Sequence, residues 1–227
     1  MRIIINGAFG KMGKVLSDVC LAAGQTVVFK ADLPPHGDLQ TFEGEADVII
    51  DFSTPSATPL LLEYAIKRKL PVVLATTGHD KRGQALIKAA SKRIPIFYSA
   101  NLSVGIAALV KAVNACACFF CEPDIEILEA HHREKADSPS GTALMIARRL
   151  GKKAVYGRKG KRKDEIGISS LRLGSVFGEH EVFIATFSEV ISVKHVAYSR
   201  AVFAEGALRA AEFVVKKRRG IFDIFDL

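Results

Sequence analysis

The sequence predicts an α/β protein: a doubly wound parallel sheet carrying a second, α+β domain built on an open mixed sheet. Three observations lead there. Short apolar runs alternate with helical patterns through the first hundred or so residues, a glycine turn joins the first run to the first helix, and the rhythm changes after Leu102.

The elements follow in order. "RIIIN" (2–6) is a short apolar run ending in glycines, as a buried parallel strand does. Val15, Leu16, Val19 and Cys20 mark a helix that closes at Gly24, a glycine placed to cap it. "TVVFKAD" and "ADVIIDF" are the next strands, and Ser53-Thr54-Pro55 reads as a helix start, with a hydroxyl cap and a proline in the first turn. "LPVVLATTG" and "IPIFYSA" are two more strands, with the helix "GQALIKAASKR" between them. After Leu102 come a long helix over about 103–120, the strand "DIEILEAH", and a short helix from about Pro139 to Leu150. A glycine- and lysine-rich loop then leads to three strand-like runs, "GISSLRL", "EVFIATF" and "EVISVKHVAY". The final helix, "SRAVFAEGALRAAEFVVKKR", has apolar residues at helical spacing and is expected to pack back on the first domain.

Composition narrows the class. The 227 residues are 49% hydrophobic with no tryptophan, ordinary for a soluble α/β chain. The N-terminus has no long apolar region with a cleavage site, and "SVGIAALVKAVNACACFFC" is interrupted by Lys111 and Asn114. Neither a signal peptide nor a membrane span is expected, and a cytoplasmic protein follows. Cys116, Cys118 and Cys121 form C-x-C-x-x-C without a second ligand pair. They are read, with Cys20, as core cysteines rather than a metal site. The net charge of +8 comes largely from "GRKGKRK" (157–163) and "KKRR" (216–219). Without interleaved aromatics or a DNA-binding motif, these blocks are read as a solvated loop and helix end, not a nucleic-acid surface.

Two stretches carry chemistry. In "GAFGKMG", Gly7, Gly10 and Gly13 lie between a strand and a helix, where glycines let the backbone approach a pyrophosphate held by free N–H groups. The spacing is G-x-x-G-x-x-G, with Phe9 where a second glycine is usual. The second strand ends at Asp32, placed to accept hydrogen bonds from a ribose hydroxyl. Asp32 disfavours a 2′-phosphate and Lys11 offsets it, so NADH and NADPH both stay open. The strand ends "DFSTP" and "ATTGH" add small and hydroxyl residues along the edge where such sheets bind ligands.

The second stretch is "EAHHREKADSPSGTA" (129–143). Adjacent residues of a strand point oppositely, so His131 and His132 are expected to do different work, one of them as proton donor. Ser138 is placed to cap a helix beginning at Pro139. The amides of Ser140, Gly141 and Thr142, with the Thr142 hydroxyl, would then form a carboxylate site near Arg133 and Lys135. Gly141, a poor helix residue in a first turn, fits an anion better than a plain cap.

This stretch resembles the signature of the 4-hydroxy-tetrahydrodipicolinate reductase (dihydrodipicolinate reductase) family of lysine and diaminopimelate biosynthesis. "GAFGKMG", "DFSTP", "ATTG", "SANLSVG", "SLRLGSVFGEHEV" and "GIFDIFDL" agree in order, covering nearly the whole chain. The resemblance implies a Rossmann-like dinucleotide domain from residues 1–102 plus 201–227 and a substrate-binding and oligomerisation domain over 103–200. It implies a homotetramer assembled through the second sheet, and reduction of a small cyclic dicarboxylate by NADH or NADPH. His131 would be the general acid, assisted by Lys135. His132, Lys135, Ser140, Gly141 and Thr142 would hold the substrate. Gly7, Ala8, Phe9, Gly10, Lys11, Met12 and Asp32 fall at the family's cofactor positions, as do Ala75, Thr76, Thr77, Ser99, Ala100, Asn101, Leu102 and, at the domain junction, Arg200. Three positions depart from the pattern: Ala75 precedes Thr-Thr-Gly, Leu102 replaces an aromatic, and Leu33 follows Asp32 where some members have arginine. Two other readings stay open: a related NAD(P)-dependent enzyme acting on another small carboxylate, and a non-catalytic dinucleotide-binding regulator.

Overall fold

The computed structural model describes residues 1–33 and 36–227, so Pro34 and Pro35, within the short stretch between Asp32 and Asp47, lie outside the described residues. The element order is β1 (Arg2–Asn6), α1 (Lys11–Ala22), β2 (Thr26–Ala31), β3 (Val48–Asp51), α2 (Thr58–Arg68), β4 (Val72–Leu74), α3 (Lys81–Ala90), β5 (Pro95–Tyr98), α4 (Val104–Ala117), β6 (Asp124–His131), α5 (Gly141–Arg149), β7 (Ala154–Tyr156), β8 (Ile166–Arg172), β9 (Gly178–Ala185), β10 (Val190–Ala197), α6 (Ala201–Val214) and β11 (Gly220–Phe222). These elements form two compact units, Met1–Ser103 with Arg200–Leu227, and Val104–Ser199.

The first unit is a six-stranded sheet in the order β11-β5-β4-β3-β1-β2, parallel throughout. Ile3 to Ile5, Val48 to Ile50 and Val72 to Leu74 are fully buried. That is why these strands read as unbroken apolar runs and not as alternating ones. From β1 the chain moves outward to β2, and β3 then lies on the other side of β1. The reversal opens a crevice at the carboxyl ends of β1 and β3, the ligand position of such sheets. α1 ends as expected, with Gly24 at φ +65° after the cap Ala23.

α2 does not begin at Ser53-Thr54-Pro55. It starts at Thr58 after Ala57, with Pro59 in its first turn and no side-chain cap. The two hydroxyls are spent elsewhere: Ser53 Oγ donates to Asp51 at 2.6 Å, and Thr54 pairs with Ser56 at 2.9 Å. β11 was not legible, because three residues carry no periodicity. α6 packs against α1 and the sheet, and a Cβ on its Gly206 would stand 1.7 Å from the Leu102 carbonyl oxygen.

The second unit is a mixed sheet in the order β10-β9-β6-β8-β7. β9 runs antiparallel to β6 and β10, whereas β8 runs parallel to β6 and β7. α4 packs on β9 and β10, and α5 on β6 and β7. β7 lies where the sequence suggested only loop. The basic segment after it folds onto acids: Arg158 reaches Glu126 at 2.6 Å and Glu165 at 2.9 Å, while Arg162 pairs with Glu126 and, at 2.5 Å, with Asp124. Exposed pairs of this kind stabilise little, but they tie both arginines of the segment to acids.

The cysteine reading needs correction. Cys20 is buried, Cys116 is half-buried, and Cys118 and Cys121 are exposed. α4 ends at Ala117, so the last two lie beyond its packed face. Among the described residues no helix is long and apolar enough to cross a membrane.

Candidate functional site

In the first unit the glycine turn separates two duties. Gly7 sits at φ +77°, and a Cβ there would stand 2.6 Å from the Phe52 carbonyl oxygen. One on Gly13 would stand 2.2 Å from that of Gly7. The fold itself excludes side chains at both positions. A Cβ on Gly10 would meet nothing closer than 3.4 Å, so packing does not account for this glycine. Gly10 is the N-cap of α1 and supplies no side-chain bond, leaving the amides that begin with exposed Lys11 and half-buried Met12 to find other acceptors.

Asp32 closes one side of this turn. Its carboxylate accepts the Phe9 amide at 2.9 Å and the Leu33 amide at 2.8 Å, so it braces the glycine turn as well as marking a strand tip. The exposed Phe9 ring stacks on His36 with centroids 4.1 Å apart, while Ala8 is buried. Beside them a cavity of ≈ 80 Å³ is lined by Asn6, Gly7, Asp32, Asp38, Gln40, Ser53 and apolar neighbours, with no lysine or arginine among its lining residues.

Asp51 ties three strand ends together at this edge. Fully buried, it accepts from Asn6 Nδ2, Ser53 Oγ and Thr76 Oγ1, each at 2.6 Å. Burial pushes its carboxyl pKa up, and these three bonds work against that push. Thr76 is therefore a buried strut, while Thr77 is exposed and Ala75 half-buried. Ser99 donates to the Asn101 carbonyl at 2.6 Å, and Asn101 Oδ1 accepts the Ser103 amide at 2.7 Å, shaping a tight segment on which Ala100 is exposed. Leu102 is buried with its carbonyl against α6, and exposed Arg200 opens that helix.

In the second unit the constellation centres on Glu129, at the end of β6. Its side chain is fully buried, and Arg172 holds it in a two-pronged grip at 3.0 and 2.9 Å. The Ser140 amide donates to it at 3.1 Å, and His131 Nδ1 lies 2.5 Å from Oε2. Burial pushes the Glu129 pKa up, but bonds from Arg172, Ser170 and His131 outweigh it and hold the carboxyl at about 2. Burial also lowers the His131 pKa, aided by Lys135 and Arg172 and opposed by Glu129. His180 stands edge-on to His131, with centroids 5.2 Å apart, and bonds Ser140 Oγ through Nε2 at 3.0 Å. Burial above all pushes its pKa down to about 3, so it is neutral at ordinary pH.

The helix mouth differs from the expectation in one respect. Ser138 does not cap α5 and Pro139 is not its first residue. Ser140 is the N-cap, its hydroxyl accepting the Ala143 amide at 3.1 Å, and the helix begins at Gly141. Glu129 draws the Ser140 amide inward, and Ser140 is 1% exposed. Its amide is consequently turned inward, and the first helical residues at the mouth are Gly141 and Thr142. A Cβ on exposed Gly141 would meet nothing within 4 Å, so sterics do not require glycine there either. Lys135 Nζ pairs with Asp137 Oδ1 at 2.7 Å, and the Gly141 amide makes a long bond to Oδ2 of the same carboxylate at 3.4 Å. His132 follows β6, half-buried, with its carbonyl accepting the Lys135 amide at 3.1 Å, and Arg133 is exposed.

Sequence reasoning passed over Glu129, Arg172, Gly178 and His180. Glu129 was findable, since it lies two residues before His131 on the same strand and therefore on the same face. Arg172 was not, because its place opposite His131 follows only from the β6–β8 register.

Comparison with known proteins bears on this arrangement. Family models described as the N-terminus and the C-terminus of dihydrodipicolinate reductase match residues 1–102 and 105–227. Similar relatives include the 4-hydroxy-tetrahydrodipicolinate reductases of Caldanaerobacter subterraneus and Clostridium tetani. The first is 43% identical over 245 aligned positions, covering 100% of this chain and 98% of that protein. The second is 40% identical, covering 99% and 95%. Among solved structures, dipicolinate-bound dihydrodipicolinate reductase from Paenisporosarcina sp. TG-14 shares the fold with a TM-score of 0.80 at 21% identity, covering 100% of this chain and 99% of that one.

Proposed function

Because the chain belongs to the dihydrodipicolinate reductase family, we propose that the mouth of α5 holds a carboxylate of 4-hydroxy-tetrahydrodipicolinate while His131 protonates the reduced ring. The chain is an NAD(P)H-dependent oxidoreductase of lysine and diaminopimelate biosynthesis. The observation that carries the site assignment is the shared grip on Asp137: Lys135 Nζ and the Gly141 amide already converge on one carboxylate. A substrate carboxylate takes that place, and Asp137, with its side chain 57% exposed, turns into water. The helix mouth and a lysine charge then act on one anion, the positioning role that can supply much of a rate enhancement.

When bound, the nicotinamide would supply a hydride; the substrate's 4-hydroxyl leaves as water to give an unsaturated ring, and hydride addition to that ring needs one proton to balance it. His131 supplies that proton, and Lys135 fixes the ring and favours negative charge beside it. Gly7, Gly10, Lys11 and Met12 would receive the cofactor's pyrophosphate at the mouth of α1, and Asp32 the adenosine ribose. Thr77, Ala100 and Asn101 would meet its other end.

The adenosine side favours NADH over NADPH. Its cavity offers Asp32 and Asp38 to a 2′ substituent, with no lysine or arginine among the described residues that line it, so a 2′-phosphate meets like charge there. Purified protein with enzymatically generated substrate should show kcat/KM for NADH at least about tenfold above that for NADPH, ~1.4 kcal/mol. Equal values, or a preference for NADPH, overturn the assignment.

The second sheet also supports assembly as a homotetramer. β10 is its edge strand and pairs only with β9 among the described residues. Val190 on it is 61% exposed, and Phe187 and Tyr198 flank it in the open. Light scattering giving the mass of one 24.6-kDa chain would rule the tetramer out.

A further inference from the structure

We propose that Glu129 is a positioning residue for His131: its carboxylate holds the Nδ1–H of the imidazole and so presents Nε2, beside Gly178, as the atom that delivers the proton. The inference rests on the reading of His131 as proton donor. It assigns a role to a residue that never meets the substrate.

The geometry leaves the carboxylate little freedom. Glu129 is fully buried, Arg172 engages both of its oxygens, and the Ser140 amide takes Oε1. A carboxylate held between an arginine and an amide stays ionised and can only accept. The contact to His131 at 2.5 Å therefore requires hydrogen on Nδ1. A neutral imidazole so held has its lone pair on Nε2, and proton uptake there creates an imidazolium directly against a negative charge. The same logic orients histidines in metal sites and in hydrolase triads.

The opposite edge of the ring is kept open. A Cβ on Gly178 would lie 3.3 Å from His131 Nε2, so the absence of a side chain at this strand start leaves that nitrogen approachable. The charged and titratable groups around the ring are Glu129 from β6, Arg172 from β8, His180 from β9 and Lys135 from the following loop, with His195 of β10 opposite His180. Two cations and one carboxylate thus bear on His131, and Glu129 is the only one of them that favours its protonated form. Arg172 also bonds the carbonyls of Lys135 at 3.3 Å and Asp137 at 2.5 Å, which links the Glu129 grip to the loop carrying the anion site.

The rival explanation is that Glu129 merely neutralises buried Arg172, and a double-mutant cycle separates the two. Glu129→Gln should lower kcat about 10- to 100-fold with KM little changed. It should also move the limb of the kcat/KM profile that requires a protonated group downward by about one pH unit. In a His131→Gln background the same change should cost no more than about twofold, because the partner it acts through is gone. An equal loss in both backgrounds, or an unmoved pH profile, makes Glu129 structural and overturns the inference. Near-normal turnover of His131→Gln alone would instead defeat the reading of His131. Should Glu129→Gln fail to fold, nitrogen NMR of the unsubstituted protein decides: neutral His131 should carry its proton on Nδ1, and an Nε2–H tautomer overturns the proposal.

Discussion

Replacing His131 by glutamine lowers kcat by ~10²- to 10⁴-fold, the range over which general acid–base groups act. Affinity for the reduced cofactor stays within about twofold, because the residues proposed for its pyrophosphate and ribose belong to the first unit and His131 to the second. The magnitude follows from where the ring sits. It is half-buried, with Nδ1 committed to Glu129, and Nε2 faces the space that Gly178 leaves. Two of its neighbours cannot replace the proton: His180 is neutral with a pKa near 3, and Arg172 is spent on Glu129. Steady-state kinetics beside a fluorescence titration of the cofactor check this. Turnover near that of the unsubstituted protein removes His131 from the reaction.

Replacing Lys135 by alanine raises KM for the substrate and lowers kcat, cutting kcat/KM by about 30- to 150-fold. That corresponds to the ~2–3 kcal/mol typical of a hydrogen bond to a charged group. Folding stability changes little, by ~0–1 kcal/mol, because the Lys135–Asp137 pair it removes is partly exposed, with the Asp137 side chain 57% accessible. Thermal unfolding and initial rates, measured together, distinguish the two roles. A marked loss of stability with unchanged kcat/KM would make Lys135 a structural residue and leave the anion site without its charge.

Much of this was legible in the sequence, for reasons that differ between its halves. The parallel sheet announced itself because strands buried on both faces are unbroken apolar runs, as at Ile3 to Ile5 and Val72 to Leu74. The ends of elements were harder to read, because hydroxyl residues have more than one possible partner. Ser53 looked like a helix cap and serves Asp51, while Ser138 looked like a cap and Ser140 is one. The histidines and the Ser-Gly-Thr mouth could be found from local pattern alone. Their support could not: Arg172 reaches Glu129 through strand pairing between segments some forty residues apart, which no local spacing encodes. The exposed Cys118 and Cys121 show the reverse error, where an apolar-looking run outlasts the helix that would have buried it.

The central claim is that Gly141, Thr142 and Lys135 clasp a carboxylate within reach of His131. A crystal of the protein grown with reduced cofactor and pyridine-2,6-dicarboxylate tests it most directly. One carboxylate should lie against the Gly141 and Thr142 amides and Lys135 Nζ, with Asp137 turned away and the ring edge facing His131 Nε2. Density for the dicarboxylate elsewhere, with Asp137 still bridging Lys135 and Gly141, would contradict it.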